Sequence, residues 1–318
     1  MSTALARQSS TTAKPEPKRS MRAPRILTYV DAVARHGSIR KAADALHIAS
    51  SALNRRILDL EEELGASLFE RLPRGVRLTA AGEIFVGHVR RSLADLELVG
   101  SQIEHLRGLV RGQVNIAAAE SLAGELLPRA IAQFQAAHPG VRFHVRINAP
   151  GDLLHAVAND EVDLVLGHEL LEHRELSVLS SVEHPFCAVV ACHHPLATRA
   201  SLRLRDCLDY PIALADATLA GRELIDRALA RASFHFEPAL VANSVETMKA
   251  YARLSQAVCF QFRAGTTRDV ALGELVAIPL VDPALAHTRL VLAMRQGRVL
   301  PIAAAAFAEQ LGKLLAAL

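Results

Sequence analysis

Between Ile26 and Leu64 the chain carries three apolar stripes at helical spacing, separated by breaks only a few residues long, and this crowding allows few arrangements. Ile26, Leu27, Val30 and Val33 share one helical face, and His36-Gly37 ends that stretch because glycine tolerates the left-handed conformation of a helix terminus. Ser38 can cap a second helix over Ile39 to Leu46, with Ala42, Ala43 and Leu46 turned inward. After the turn His47-Ile48-Ala49, Ser50 or Ser51 can cap a third helix, whose Leu53, Ile57, Leu60 and Leu64 form a buried stripe before Gly65 closes it. The small alanines let two backbones approach around a short turn, which is the logic of a helix-turn-helix.

Leu68 to Thr79 follows as two short β-compatible runs around Pro73-Arg74-Gly75, and a hairpin beside such a helix pair is a wing. Its tip and flanks carry Arg71, Arg74 and Arg77, suited to phosphates or a minor groove. Thr79 can cap a long helix running to about Arg111, in which Val89, Leu96, Ile103 and Val110 recur every seven residues, joined by Phe85, Val99 and Leu106. That seam predicts dimerisation through Val89, Leu96, Val99, Ile103 and Leu106; an amphipathic helix packed on its own chain is the competing reading.

The formal charge of +3 divides unevenly along the chain. Residues 1–111 hold 18 Lys and Arg against 12 Asp and Glu, or +6, and the remainder 18 against 21, or −3. The basic part points to a nucleic-acid backbone. With no Trp and 4% aromatic residues, base-stacking platforms for single strands are not expected, whereas a winged helix-turn-helix is built to read double-stranded DNA. Residues 1–24 are rich in Ser, Thr, Ala, Lys, Arg and Pro and read as a disordered arm, unless translation starts at Met21 instead of Met1. No apolar run approaches the roughly 18 residues of a membrane span. Four well-separated cysteines, Cys187, Cys192, Cys207 and Cys259, make no disulfide framework, and a reducing, cytoplasmic setting is expected.

From Gly112 the pattern becomes short apolar runs alternating with helical segments: Val114 to Ala118, Glu125 to His138, Val141 to Ile147, Asp152 to Asn159 and Val162 to Leu166. This is βαβ construction on a mainly parallel sheet. Cys187 to Ala191, Ile212 to Ala215, Gly221 to Ala232 and Val245 to Leu254 repeat the theme. Leu290 to Met294 and a helix over Ile302 to Leu315 then complete the first sheet. The expected domains are a tail (1–24), a winged helix-turn-helix (25–79), a linker helix (80–111) and an α/β domain (112–318). The last divides into one lobe of about 112–183 with 283–318 and another of about 184–282.

The text from Gly37 to Glu83, GSIRKAADALHIASSALNRRILDLEEELGASLFERLPRGVRLTAAGE, resembles the LysR-type transcriptional regulators. Its Gly-Ser entry, Ala-Ala pair, Leu-His before the turn, Leu60-Glu61, Leu64-Gly65, Leu68-Phe69, Arg71, Leu78-Thr79 and Gly82 stand in that family's order. Leu127-Pro128, His138-Pro139-Gly140-Val141, Asp163-Leu164 and His194-Pro195-Leu196 are similar to its effector domain. The resemblance implies a periplasmic-binding-protein-like, two-lobed domain that takes a small-molecule effector, homodimers or tetramers bound to promoter DNA, and RNA polymerase as a possible neighbour there. It implies no cofactor and no enzymatic activity. The chain departs from the family at Ser50-Ser51-Ala52-Leu53-Asn54-Arg55, where a Gln-Pro pair is common, and at Ser255-Gln256-Ala257-Val258, where a Gly-x-Gly turn is common.

On the third helix, Ser50, Ser51, Asn54 and Arg55 leave the apolar stripe; Asn can pair with adenine and Arg with guanine in a major groove. Arg40 and Lys41 fit backbone phosphates, with Arg71 and Arg74 on the wing. In the α/β part, Glu120, Ser121, Asp216 and Thr218 stand where strands give way to helices, a position that faces the ligand crevice of open sheets; ordinary capping would explain each singly. Similarity to the family's interlobe cleft adds Asn148, His168, Asn243 and Ser244. Cys192-His193-His194 lacks zinc-site spacing, and no catalytic or metal-binding motif stands in the chain, so catalytic and metal residues are expected to be none. The rival function class is a small-molecule-binding protein or enzyme built on the α/β part, with DNA binding incidental.

Overall fold

The computed structural model describes residues 23–105, 111–170 and 173–318; the N-terminal arm up to residue 22 and the seam positions Leu106 and Val110 lie outside them. Helices α1 (Arg25–His36), α2 (Ile39–Leu46) and α3 (Ser50–Leu64) precede the hairpin β1 (Phe69–Leu72) and β2 (Gly75–Leu78) and the long α4 (Ala80–His105). Val30, Val33, Ala42, Ala43, Leu53, Ile57, Leu68, Val86 and Val89 form their shared core. Ser38 caps α2 by accepting the Lys41 N–H, and His47 ends it in the left-handed conformation at φ 55°. Thr79 Oγ1 accepts the Gly82 N–H at 3.0 Å at the start of α4 and donates to the Ser67 carbonyl at 2.6 Å.

The wing is held against the first turn of the helix pair. Val76 donates its N–H to the Gly37 carbonyl at 2.9 Å, and a Cβ on Gly75, at φ 114°, would come within 2.3 Å of that same carbonyl oxygen. Only glycine fits there.

Two expectations about this region are corrected. Ala49, not a serine, is the N-cap of α3 and no side chain caps that end, so the Ser50 and Ser51 hydroxyls stay exposed. Val89, assigned from its spacing to a dimer seam, is fully buried in the core of its own chain. The first turns of α4 pack against α1 before the helix emerges, and a seven-residue period cannot tell which partner covers a given turn. Further along, Leu96 is half-buried, while Val99 and Ile103 remain 42% and 47% exposed.

The α/β part forms two mixed sheets. The first has order β4-β3-β5-β12-β6, from β3 (Gly112–Ala118), β4 (Val141–Ile147), β5 (Leu164–His168), β6 (Leu176–Glu183) and β12 (Arg289–Arg295). The second has order β11-β7-β10-β8-β9, from β7 (Phe186–Ala191), β8 (Ile212–Ala215), β9 (Pro238–Ala242), β10 (Val258–Phe262) and β11 (Leu275–Pro279). The βαβ core of each sheet is parallel, but β12 runs antiparallel to β5 and β6, and β7 antiparallel to β10 and β11. The reversed strands are those next to the passages between the two sheets, which a count of βαβ units does not reveal.

Helices α5 (Leu126–Ala137), α6 (Pro150–Ala158) and α10 (Ile302–Leu315) cover the first sheet, where Phe134 and Phe307 meet edge-on at 5.4 Å. Helices α7 (Ala220–Leu229), α8 (Val245–Leu254) and the short α9 (Thr267–Ala271) belong to the second lobe. The linker helix is fastened to the first lobe, because Ser101 Oγ on α4 accepts the Ile302 N–H at the start of α10 at 3.1 Å. Among the described residues no helix is long and apolar enough to cross a membrane.

Candidate DNA interface and interlobe cleft

Burying Leu53 and Ile57 turns the opposite face of α3 outward, so Ser50, Ser51, Arg55 and Arg56 are exposed and Asn54 is half-buried. Arg40 and Lys41, in the first turn of α2, are exposed as well. Arg74 stands exposed at the tip of the two-residue turn between β1 and β2. Arg71 is not a free wing charge: its Nη2 donates to Asn54 Oδ1 at 2.8 Å. Arg77 pairs with Glu70 at 2.6 Å, which lowers the net positive charge of the wing.

Glu61, read in the sequence only as part of a pattern, is the strut of this surface. Its Oε1 accepts the N–H groups of Leu68 and Phe69 at 2.6 and 2.9 Å, tying the end of α3 to the start of the wing. A carboxylate taking two backbone donors makes strong, charge-assisted bonds, and it fixes the angle between the helix and the hairpin.

The second constellation lies at strand ends. Glu120, Ser121, Asn148 and His168 stand at or just beyond the C-terminal ends of β3, β4 and β5, and Asp216, Thr218, Asn243 and Ser244 beyond β8 and β9. The structure joins them in small groups. Ser121 Oγ and His168 Nε2 are 3.0 Å apart and buried. Glu120 Oε1 crosses between lobes to accept the Val245 N–H at 2.8 Å, at the start of α8, where Ser244 is the N-cap. Thr218 donates both its N–H and its hydroxyl to Asp216 Oδ1, bonds that hold the Asp216 carboxyl below the usual carboxylate range. Asn243 is exposed, and the Oδ1 of Asn148 is buried without a partner.

Phe262, at the end of β10, was not singled out from sequence. Its ring stacks on His168 at 3.4 Å between centroids, closing one lobe on the other. Burial, together with His184 nearby, holds His168 well below the usual imidazole range, and its Nδ1 has no partner. His184 occupies the passage between lobes, where its Nε2 accepts the Ala264 N–H at 2.7 Å. Burial and the neighbouring Arg263 push His184 down to about 4. The thiols of Cys187, Cys207 and Cys259 are pushed up to about 12 by burial, so they stay protonated and unreactive; Cys192 is exposed. Among the described residues no cluster of three or more His, Cys, Asp or Glu could hold a metal ion.

Two family descriptions match the chain: "Bacterial regulatory helix-turn-helix protein, lysR family" over residues 24–83 and "LysR substrate binding domain" over residues 107–316. The HTH-type transcriptional regulator CysB of Burkholderia cenocepacia is 30% identical over 72% of this chain and 74% of its own length. Among solved structures, a single-residue variant of full-length OxyR from Pseudomonas aeruginosa superposes with a TM-score of 0.68 at 19% identity, covering 90% of this chain and 93% of the other. Full-length CbnR in complex with its target DNA superposes with a TM-score of 0.52 at 20% identity, covering 91% of this chain and 98% of the other. A DNA-reading helix and wing, a long linker helix and a two-lobed α/β domain thus stand together in one chain, and the chain belongs to the LysR family of transcriptional regulators.

Proposed function

We propose that this LysR-family regulator acts in the cytoplasm as a homodimer or homotetramer that grips interrupted inverted repeats in promoter DNA, without a cofactor and without catalysis. The observation that carries the reading is the exposed polar ridge of α3, Ser50, Ser51 and Arg55, flanked by Arg40, Lys41 and Arg74. Such a ridge puts a base-reading helix between two sets of phosphate contacts. The test is a mobility-shift assay with the full chain on the DNA between its own gene and the divergent neighbour. A specific shift that weakens steeply with salt supports the reading; its absence overturns it.

The effector in this reading is a small polar compound bound between the lobes, where Ser121, Thr218 and Ser244 offer hydroxyls and Asn148 an unused carbonyl oxygen. Binding there exchanges the Ser121–His168 and Glu120–Val245 bonds for bonds to the ligand, and so changes how the lobes close. Ser121→Ala with Thr218→Ala should abolish the response to the effector while sparing operator binding. Calorimetry of the full chain against polar metabolites, repeated on the double variant, checks it, and equally tight binding to both proteins would place the ligand elsewhere.

A further inference from the structure

We infer that Arg71 is a positioning residue that fixes which edge of Asn54 faces the DNA, an inference that rests on the reading of α3 as the helix in the major groove. An asparagine amide has two orientations, one presenting oxygen and one presenting the amino group, and neither is set by the backbone. Here the choice is forced. A guanidinium has donors only, so the Asn54 atom at 2.8 Å from Arg71 Nη2 is the acceptor oxygen, and the amino group is the free end.

The brace is itself rigidly mounted. Arg71 lies on β1, opposite Val76 of β2, and Val76 is bonded to the Gly37 carbonyl. The start of β1 hangs from Glu61 at the far end of the recognition helix. Helix and wing therefore move as one body, and Arg71 follows Asn54 into any complex.

An amino group as the free end seeks acceptors. In the major groove guanine offers N7 and O6, adenine N7 and thymine O4, whereas cytosine offers its N4 amino donor. Oδ1 keeps a second lone pair but gives its charge-assisted bond to Arg71, so the amino group is the end offered to the groove: Asn54 favours purines or thymine and disfavours cytosine at one position of each half-site. Without Arg71 the amide can turn, present its oxygen to the cytosine amino group, and the exclusion disappears.

The test is selection of bound duplexes from a randomised library by the full-length protein, comparing wild type with Asn54→Ala, Arg71→Met, Arg71→Lys and Asn54→Asp. Wild type should disfavour cytosine at one position about fivefold or more, within the range of a single base contact. Asn54→Ala and Arg71→Met should both lose that exclusion at the same position, leaving other positions unchanged. Arg71→Lys, which keeps a donor, should retain it. Asn54→Asp, which can still pair with Arg71 but offers only acceptors, should turn the position towards cytosine. If Asn54→Ala loses the exclusion and Arg71→Met keeps it, the brace is refuted while the base contact stands. If Arg71→Met instead weakens every sequence equally, Arg71 is a phosphate contact and the inference fails. Unchanged preferences in Asn54→Ala would remove the base contact itself. Arg71 is exposed, so thermal unfolding of the variants should match wild type.

Discussion

Arg90 Nη1 meets Glu161 at 2.8 Å where the linker helix touches the first lobe, and Nε of the same guanidinium meets Asp31 of α1 at 3.1 Å. The ends of this chain of charges are Arg35, paired with Asp31, and Arg146, paired with Glu161. One side chain, 7% exposed, thereby joins three parts of the protein beside a cavity of about 560 Å³ lined by Arg35, Val86, Arg146 and His155, among others.

Removing that side chain strands two carboxylates. Arg90→Ala is expected to lower unfolding stability by about 3 kcal/mol, since an unpaired buried charge is costly, with Arg35 and Arg146 compensating only in part. Urea unfolding at neutral pH measures it; a loss below about 0.5 kcal/mol would mean that water replaces the guanidinium at no cost.

On the DNA face, Arg55→Ala should cost about 1 to 3 kcal/mol at the cognate site and relax preference at one base pair. Arg74→Ala should weaken all sequences alike and reduce the salt slope by about one. Titrations on specific and scrambled duplexes at several salt concentrations separate the two. Equal losses on both duplexes for Arg55→Ala would demote it to a phosphate contact.

The linker helix now yields a contrast between two of its own residues. Ile103→Asp, on an exposed position, should separate subunits and weaken operator binding with little effect on the fold of one chain. Val89→Ala, in the core, should leave assembly intact and cost roughly 1 to 3 kcal/mol through the cavity it leaves. Sedimentation with thermal unfolding checks both. An Ile103→Asp protein that sediments like wild type would remove this residue from any subunit interface.

Acid should loosen the join between lobes. The His184 pKa lies at about 4 in the fold, below the imidazole value of about 6.5 in an unfolded chain. The unfolded state therefore binds more protons between those values, and the contribution of neutral His184 is complete above about 6.5 and lost as pH falls towards 4. Protonation also abolishes the acceptor used by the Ala264 N–H. Thermal unfolding against pH should fall through that window by an amount on the order of 3 kcal/mol in stability, and His184→Gln should flatten it. Parallel curves for the two proteins would assign the acid sensitivity to carboxylates elsewhere.

The DNA-binding half was readable because its information is local. Ser38, Gly37, Gly65 and Thr79 set helix ends through bonds within a few residues, and Ala42-Ala43 announces close helix packing. What escaped were side-chain contacts that join separate elements: Glu61 to the wing, Arg90 to Glu161, and His168 on Phe262. No periodicity encodes them. Val89 was misassigned for a related reason, since spacing identifies an apolar face without saying whether another chain or its own domain covers it. In the cleft, the βαβ pattern placed Ser121 and Thr218 just beyond strand ends, but only the folded chain brings Glu120 across to Val245.

The insertion of β12 between β5 and β6 has a consequence for how the protein is made. Every strand of the second sheet lies between Phe186 and Pro279, so that lobe is complete as soon as this stretch has left the ribosome. The first lobe begins earlier yet stays unfinished, because until Arg289–Arg295 and α10 are synthesised its sheet has a gap between β5 and β6, where the antiparallel β12 belongs, and Phe134 lacks Phe307. Domains form as units once their chain is available. The lobe encoded second is thus the one that folds first, and a chain truncated before Arg289 and released from the ribosome should protect β7–β11 from protease while β3–β5 are still cut.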